Sequence, residues 1–452
     1  MYEHSAVLHC YRGKYNGCMQ TLLETINGMI LAPIVPIILF AVGIYFSVKL
    51  RFFFVRHPIR TIMPLTKRPP GSGVSPLAAV TLALAGTLGV GNIVGVATAI
   101  VLGGAGAVFW MWVSAIVAMV LKYAEILLAV RHRREKDGKF HGGAMYYIKN
   151  RKVAVTFALL CILCSFSLGN ALQVNAAATS ANIVFGIPLI AVGAAFALLI
   201  YLVIFRHKKG VFDFTLKLVP AITLFYIILA LIVIFAQRQG IPEVFSQIFS
   251  AAFSFRSAAG GVGGFLIAMS SVRFGVIRGL VSNEAGCGTA PIAHAAADVH
   301  SPAAQGCWGI VEVFVDTLLM CTLTAFVILL PGFDLAGAEG MELVLSSFAF
   351  ILGGFAQVAL AGSMFAFAFA TIIGWSFFGM ECVHYLSPTK KARATYLVAF
   401  NFVALIGGFL HPDLIWQLSD LAIGGMTIIN AIALFALRQE VFHESSKFFR
   451  FK

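Results

Sequence analysis

The residues with most chemistry to offer sit where a membrane-grade sequence should carry none. Within the apolar run Pro76–Leu102, the stretch Ala85-Gly86-Thr87-Leu88-Gly89-Val90-Gly91-Asn92-Ile93-Val94-Gly95 holds four glycines, a threonine and an asparagine. Each glycine weakens a helix by about 1 kcal/mol relative to alanine. Gly91 and Gly95 suit the close packing of small-xxx-small helix pairs, but Gly86, Gly89 and Gly91 share no single helical face. The pattern predicts a broken helix. Unpaired backbone groups are costly in hydrocarbon, so such a break must line a cavity inside the protein. Secondary transporters bind substrate and coupling ions at breaks of this kind. Freed carbonyls, a hydroxyl and an amide oxygen suit a hard cation. The helix that resumes after the break offers its N-terminus to a carboxylate, and Gly91 lets the backbone approach without a Cβ.

Other residues are placed for chemistry, each with a plainer alternative. Asn170 and Gln173, three apart, share a helix face; they suit the charged ends of a substrate, or interhelical hydrogen bonds worth about 0.6–2 kcal/mol each. Thr371 and Trp375 lie one turn apart, where the indole closes a small pocket or anchors a helix at the lipid interface. Apolar residues on both sides disfavour the anchor. Ionisable residues in apolar runs default to function with a named partner. Lys122 and Glu125 form one such pair; Glu312 and Asp316 share a face, with Lys122, Arg273 or Arg278 available to neutralise one of them. A structural pair or gate is expected there rather than substrate contact, and His294, beside Pro291, is expected to be structural; in a proton-coupled transporter Asp316, Glu312 or His294 would instead carry the proton. No HExxH, GxSxG or Walker pattern supplies an enzyme's constellation, and no repeated ring of charges lines a channel.

These residues need a scaffold, and the composition supplies it. The chain has 452 residues, 60% hydrophobic and 11% charged, against about 25% charged in soluble domains. It reads as a polytopic helical membrane protein. The net charge of +13 falls in short inter-helix segments and forms no nucleic-acid surface. Eight cysteines give no disulfide or zinc pattern; Cys161 and Cys164 lie in an apolar run and read as buried thiols. Met1–Gln20 reads as a polar tail without a signal peptide.

About eleven spans follow from apolar runs and turn signals: Leu22–Val48, Pro76–Leu102, Ala107–Val130, Val153–Val184, Leu189–Phe205, Phe214–Phe235, an irregular seventh from Ala258 toward Ala297, Gln305–Leu330, Leu343–Glu381, Thr395–Leu410 and Asp413–Leu437. Alternate connections are rich in Lys and Arg, which puts the N-terminus outside and the C-terminus in the cytoplasm. The second span and the seventh, five helices later, both open on glycine-rich interruptions, the latter at Gly260–Gly264 and then Phe274–Gly279. Corresponding interruptions mark an inverted repeat.

The run Gly86–Ile100 resembles the glycine-rich helix of the alanine/glycine:cation symporters, also called sodium:alanine symporters. Phe109–Ser114, Lys122–Glu125, Gly142–Ile148, Arg278–Gly286, Ala290–Ala295 and Glu312–Thr317 continue the likeness, which spans roughly Leu22–Leu437. The resemblance implies an all-α leucine-transporter-type fold, five plus five inverted repeats after one extra N-terminal helix. It implies sodium-coupled uptake of small neutral amino acids, alanine and glycine foremost, with proton coupling or serine or glutamine as alternatives. On the fold's pattern, Thr87 carbonyl and Asn92 hold one sodium, and Ala85 and Leu88 carbonyls with Thr371 a second. Val90, Gly91, Asn170, Gln173, Gly275 and Trp375 contact the substrate. Val90 and Cys287 depart from the family pattern, which expects Thr and a larger apolar residue. The implied organisation is a tail (1–21), an extra helix and cytoplasmic loop (22–75), a first repeat (76–237), an external connection (238–257), a second repeat (258–437) and a cytoplasmic tail (438–452). Sodium is the coupling ion, with no other cofactor. The expected partners are the amino acid, sodium and plasma-membrane lipid, with no nucleic acid and no obligate protein.

Overall fold

The computed structural model describes residues 23, 25–62, 73–136, 138–206, 210–253, 262–335 and 340–450. The expected tail 1–21 lies outside the described residues, as do Gly260 and Gly261. Counting α-helices of six residues or more, α1 is Ala32–Lys49, α2 Pro76–Thr87, α3 Val96–Gly103, α4 Gly106–His132, α5 Arg151–Phe166 and α6 Leu172–Phe185. They are followed by α7 Leu189–Tyr201, α8 Gly210–Ala236, α9 Ile241–Ala252, α10 Val262–Asn283, α11 Ala290–Ala295 and α12 Pro302–Val313. The last are α13 Thr322–Leu329, α14 Gly340–Leu352, α15 Gly354–Leu386, α16 Lys390–Ile406, α17 Pro412–Ala436 and α18 Arg438–Phe449. A hairpin of β1 (Arg134–Lys136) and β2 (Lys139–His141) follows α4.

Helix starts are chemically marked. The Ser75 hydroxyl accepts the Ala78 N–H just before Pro76, and Ser301 does the same for Ala304 before Pro302. Asn150 and Thr389 cap α5 and α16. Such caps take up N–H groups that the first turn leaves free, and Pro fits the first helical position. Among the described residues, 7 helices are long and apolar enough to cross a membrane, or up to 8 with α2 and α3 taken as one span bent by 55°. Ile34–Lys49, Leu189–Ile204 and Gly340–Leu352 are shorter apolar helices.

α4 is the hub. It packs on α1, α9, α10 and α12, while α15 crosses α2, α5, α6 and α8. One apolar core lies where α1, α4, α5 and α17 meet, and another surrounds α2, α3, α8 and α13.

The structure revises several sequence expectations. The ninth span is not continuous over Leu343–Glu381, because Gly353 turns the chain at φ +58° between α14 and α15. The seventh is helical straight through Phe274–Gly279, where Gly275 and Gly279 pack on α4, and among the described residues it opens at Glu284–Thr289. The connection before α10 contains α9, whose Phe245 and Phe249 pack on Trp112. The C-terminal segment is a docked helix: Phe449 packs on Phe53 and Tyr123, and Ser445 hydrogen-bonds the Tyr123 hydroxyl at 2.8 Å.

Candidate functional site

The break between α2 and α3 is held open by specific partners. In an unbroken helix the Gly89 and Val90 N–H groups would donate to the carbonyls of Ala85 and Gly86. Instead Gly89 donates to Asn92 Oδ1 (3.2 Å) and Val90 to Gln173 Oε1 (3.3 Å). The Gly86 carbonyl accepts from the Trp375 indole N–H (3.1 Å), and Leu88's accepts from the Thr371 hydroxyl (3.2 Å). Side chains of α6 and α15 thus replace the helix's own bonds, as buried backbone requires. The fit depends on glycine. A Cβ on Gly89 would stand 2.7 Å from Thr371 Oγ1 and 2.8 Å from Gln173 Oε1. One on Gly374 would stand 2.9 Å from the Gly86 nitrogen, so α15 meets α2 backbone to backbone.

Past the break, a π-type turn at Gly91–Gly95 turns Asn92 inward. Its Nδ2 donates to Ser282 Oγ (3.0 Å), to the Asp316 carbonyl (3.2 Å) and to Asp316 Oδ1. Ser282 also donates to Asp316 Oδ1 (2.7 Å), while Asp316 Oδ2 is buried with no partner among the described residues. Three helices therefore converge on one carboxylate. Asp316 and Asn170 also lie in π-type turns, Phe314–Cys321 and Ser167–Ala171. Such turns are uncommon and recur at functional sites, because they re-aim side chains that a regular helix would point elsewhere.

The break after α10 is built differently. Glu284, Gly286 and Gly288 have φ of +52°, +80° and +80°. α4 and α17 hold this loop. Lys122 Nζ donates to the Asn283 carbonyl (2.6 Å) and pairs with Glu312 (3.0 Å) rather than with Glu125. Glu125 Oε2 accepts from the Gly288 N–H (3.1 Å) and from Asn430 Nδ2 (2.9 Å), which also donates to the Gly286 carbonyl (2.8 Å). His294 Nε2 lies 3.2 Å from Glu312 Oε2, and Gln305 Nε2 lies 2.8 Å from His294 Nδ1.

Among the sequence candidates, Ala85, Thr87, Leu88, Val90, Gly91 and Asn92 lie in or beside the first break, with Gln173, Thr371 and Trp375 bonded into it. Asn170 sits a turn from Gln173 and donates to the Phe400 carbonyl (2.7 Å), its Oδ1 buried without a partner among the described residues. Gly275 is not brought to this cluster. It faces α4, where a Cβ would stand 2.3 Å from the Ala107 carbonyl oxygen. Ser282 is not among the sequence candidates, and Asp316 is expected there within a structural pair or gate or, under proton coupling, as a carrier of the proton. The available signal is an intramembrane carboxylate, but its partners lie 34 and 224 residues away.

The sequence profile described as the sodium:alanine symporter family matches residues 16–452. The chain belongs to the sodium:alanine symporter family. It is a transporter and not an enzyme. The sodium/alanine symporter AgcS of Methanococcus maripaludis is 34% identical, covering 95% of this chain and 97% of its own. The probable sodium/glutamine symporter GlnT of Bacillus subtilis is 32% identical, covering 94% and 90%. The solved structure of MhsT in complex with L-phenylalanine superposes with a TM-score of 0.57 over 84% of this chain and 93% of that one, at 14% identity. That likeness concerns the fold, which is of the leucine-transporter type.

Proposed function

We propose that this symporter couples inward sodium movement to uptake of a small neutral amino acid, alanine or glycine, by alternating access. The observation that carries the reading is the meeting of Asn92, Ser282 and Asp316 at the broken helix, with one carboxylate oxygen buried and unpartnered among the described residues. A carboxylate beside a hydroxyl and an amide is a hard-oxygen donor set, and a sodium ion there offsets a charge that hydrocarbon disfavours. Asn92 Oδ1 accepts from the Gly89 N–H while its Nδ2 faces Asp316, so its oxygen reaches an ion at the carboxylate only when the amide turns end for end and releases Gly89. Thr87 carbonyl completes this set, and Ala85 and Leu88 carbonyls with Thr371 form the second. The substrate carboxylate faces the backbone of Val90 and Gly91, flanked by Asn170 and Gln173. Trp375, fully buried, limits side-chain size. The names of AgcS and GlnT support sodium coupling and leave alanine and glutamine as the substrates to separate.

The eleven-span reading adds α1, α7 and α10 to the eight apolar spans and leaves α9 and α14 as connections. In it, residues 76–237 and 258–437 form the inverted repeats, and the breaks after α2 and α10 correspond. The protein sits in the cell membrane, N-terminus outside. Substrate and sodium together favour one closed arrangement, and the repeat halves rock to expose the site to either side.

The test is uptake of labelled alanine by proteoliposomes under an inward sodium gradient, against potassium and against a pH gradient. Sodium-dependent accumulation is expected, with Asp316→Asn raising the half-saturating sodium concentration about tenfold or more, as loss of one charged ligand implies. Uptake driven by pH alone removes sodium coupling and moves the coupling to a protonatable residue. An unchanged sodium dependence in Asp316→Asn overturns its role as ligand.

A further inference from the structure

A cavity of about 250 Å³ opens between α1, α10 and α17, sharing no residue with the sets proposed above for sodium and substrate. Its walls are largely apolar, with Leu31, Val35, Leu39, Ile277 and Ile423 among them. It reaches Cys287, in the break of α10, whose thiol lies 3.2 Å from the Thr427 hydroxyl. At this volume it falls just under the ~300–1,000 Å³ of sites for drug-sized ligands, which suits one smaller molecule.

Three charged side chains line the cavity, Arg273, Arg278 and Asp420, and neither arginine is ion-paired with Asp420 among the described residues. Arg278 comes from α10 and Asp420 from α17. Arg278 Nε and Nη1 are buried and donate no hydrogen bond among the described residues, while the guanidinium lies over the Trp416 ring, 4.7 Å from its centroid. Asn27, which also lines the cavity, donates to Gln417 Oε1 (2.6 Å), leaving Asn27 Oδ1 buried and without a donor among the described residues. A desolvated guanidinium without an acceptor is unfavourable, and so is a buried acceptor without a donor. Unpaired guanidinium donors, an unpaired amide oxygen and the Asp420 carboxylate in one cavity call for an occupant that carries a carboxylate and an ammonium on one carbon.

The geometry points to a second amino-acid site in this cavity, taking a free α-amino acid with a large aliphatic side chain. The carboxylate pairs with Arg278, the ammonium with Asp420 and Asn27 Oδ1, and the side chain lies against the leucine and isoleucine wall. The occupant bridges three helices and abuts the α10 break, so it restrains the motion of α10 and inhibits uptake without competing for the central site. That effect on uptake rests on the symport reading; binding does not.

The experiment is equilibrium dialysis of labelled L-leucine against the full chain purified in detergent, with and without excess alanine. The parent is expected to bind one leucine per chain that alanine does not displace. Arg278→Gln and Asp420→Asn are each expected to weaken it about tenfold to a hundredfold, with alanine binding and thermal unfolding as in the parent. Arg278→Lys, which keeps the charge, is expected to recover part of the loss. Three results overturn the assignment: no leucine bound by the parent, full displacement by alanine, or equal affinity in Arg278→Gln. A phospholipid that stays with the parent at one per chain through delipidation, and is lost from Arg278→Gln, also overturns it and assigns the cavity to a lipid headgroup. Leucine binding that persists in a protein failing every alanine-uptake assay removes alanine as the central substrate and leaves this site standing.

Discussion

Replacing Lys122 by methionine removes the cation that joins three helices and leaves the aliphatic stem in place. Lys122 and Glu312 are 0% and 1% exposed, with 3.0 Å between Nζ and Oε1. The same ammonium also satisfies the Asn283 carbonyl at the end of α10. Without it Glu312 keeps only His294 and Asn283 loses its donor. Breaking one side of a buried pair costs about 3–5 kcal/mol, because the other charge stays desolvated. The double variant Lys122→Met/Glu312→Gln removes that charge too, so it is expected to be less destabilised than the sum of the singles, by about 2–3 kcal/mol. The assay is reversible unfolding of the purified chain by SDS titration in mixed micelles, for the parent, both singles and the double. A single-variant loss below about 1 kcal/mol, or a coupling below about 0.5 kcal/mol, would refute a mutually dependent pair at the α10 break.

Gly89→Ala places a Cβ 2.7 Å from Thr371 Oγ1 and 2.8 Å from Gln173 Oε1; overpacking of about 1–3 kcal/mol should lower initial uptake rates about tenfold or more at equal protein level, and parental rates would sink the packing argument. Trp375→Phe leaves the Gly86 carbonyl without its indole donor, and thermal unfolding in detergent should report a loss of about 1–3 kcal/mol. The Glu381 hydrogen bond to His141 holds the imidazole above its ordinary value of 6.5. The protonated ring favours the folded clasp between β2 and α15, so its stabilisation is fully present below pH 6.5 and is lost as pH rises through the elevated folded value. Hydrogen exchange of the β1–β2 amides should therefore quicken as pH rises, beyond the intrinsic chemical trend, and Glu381→Gln should abolish that excess.

The sequence alone determined that this is a helical membrane protein, which family pattern it carries, and where the main helix breaks. Composition, span length and glycine placement are local properties, and in hydrocarbon an unsatisfied backbone is so costly that Gly86–Gly91 leaves few alternatives. Asn92, Gln173, Thr371 and Trp375 were legible as candidates because polar and aromatic groups stand out in apolar runs. What only tertiary structure decided is which of them meet. Lys122 turns to Glu312 and not to Glu125, one turn along its own helix, because pairing across helices also satisfies the Asn283 carbonyl. Gly275 looked like a second break but lies where α10 and α4 touch backbone to backbone, and a glycine's sequence signal is the same for both uses. Asp316 gains its meaning from Asn92 and Ser282, partners brought to it by helix packing that no local pattern of residues encodes.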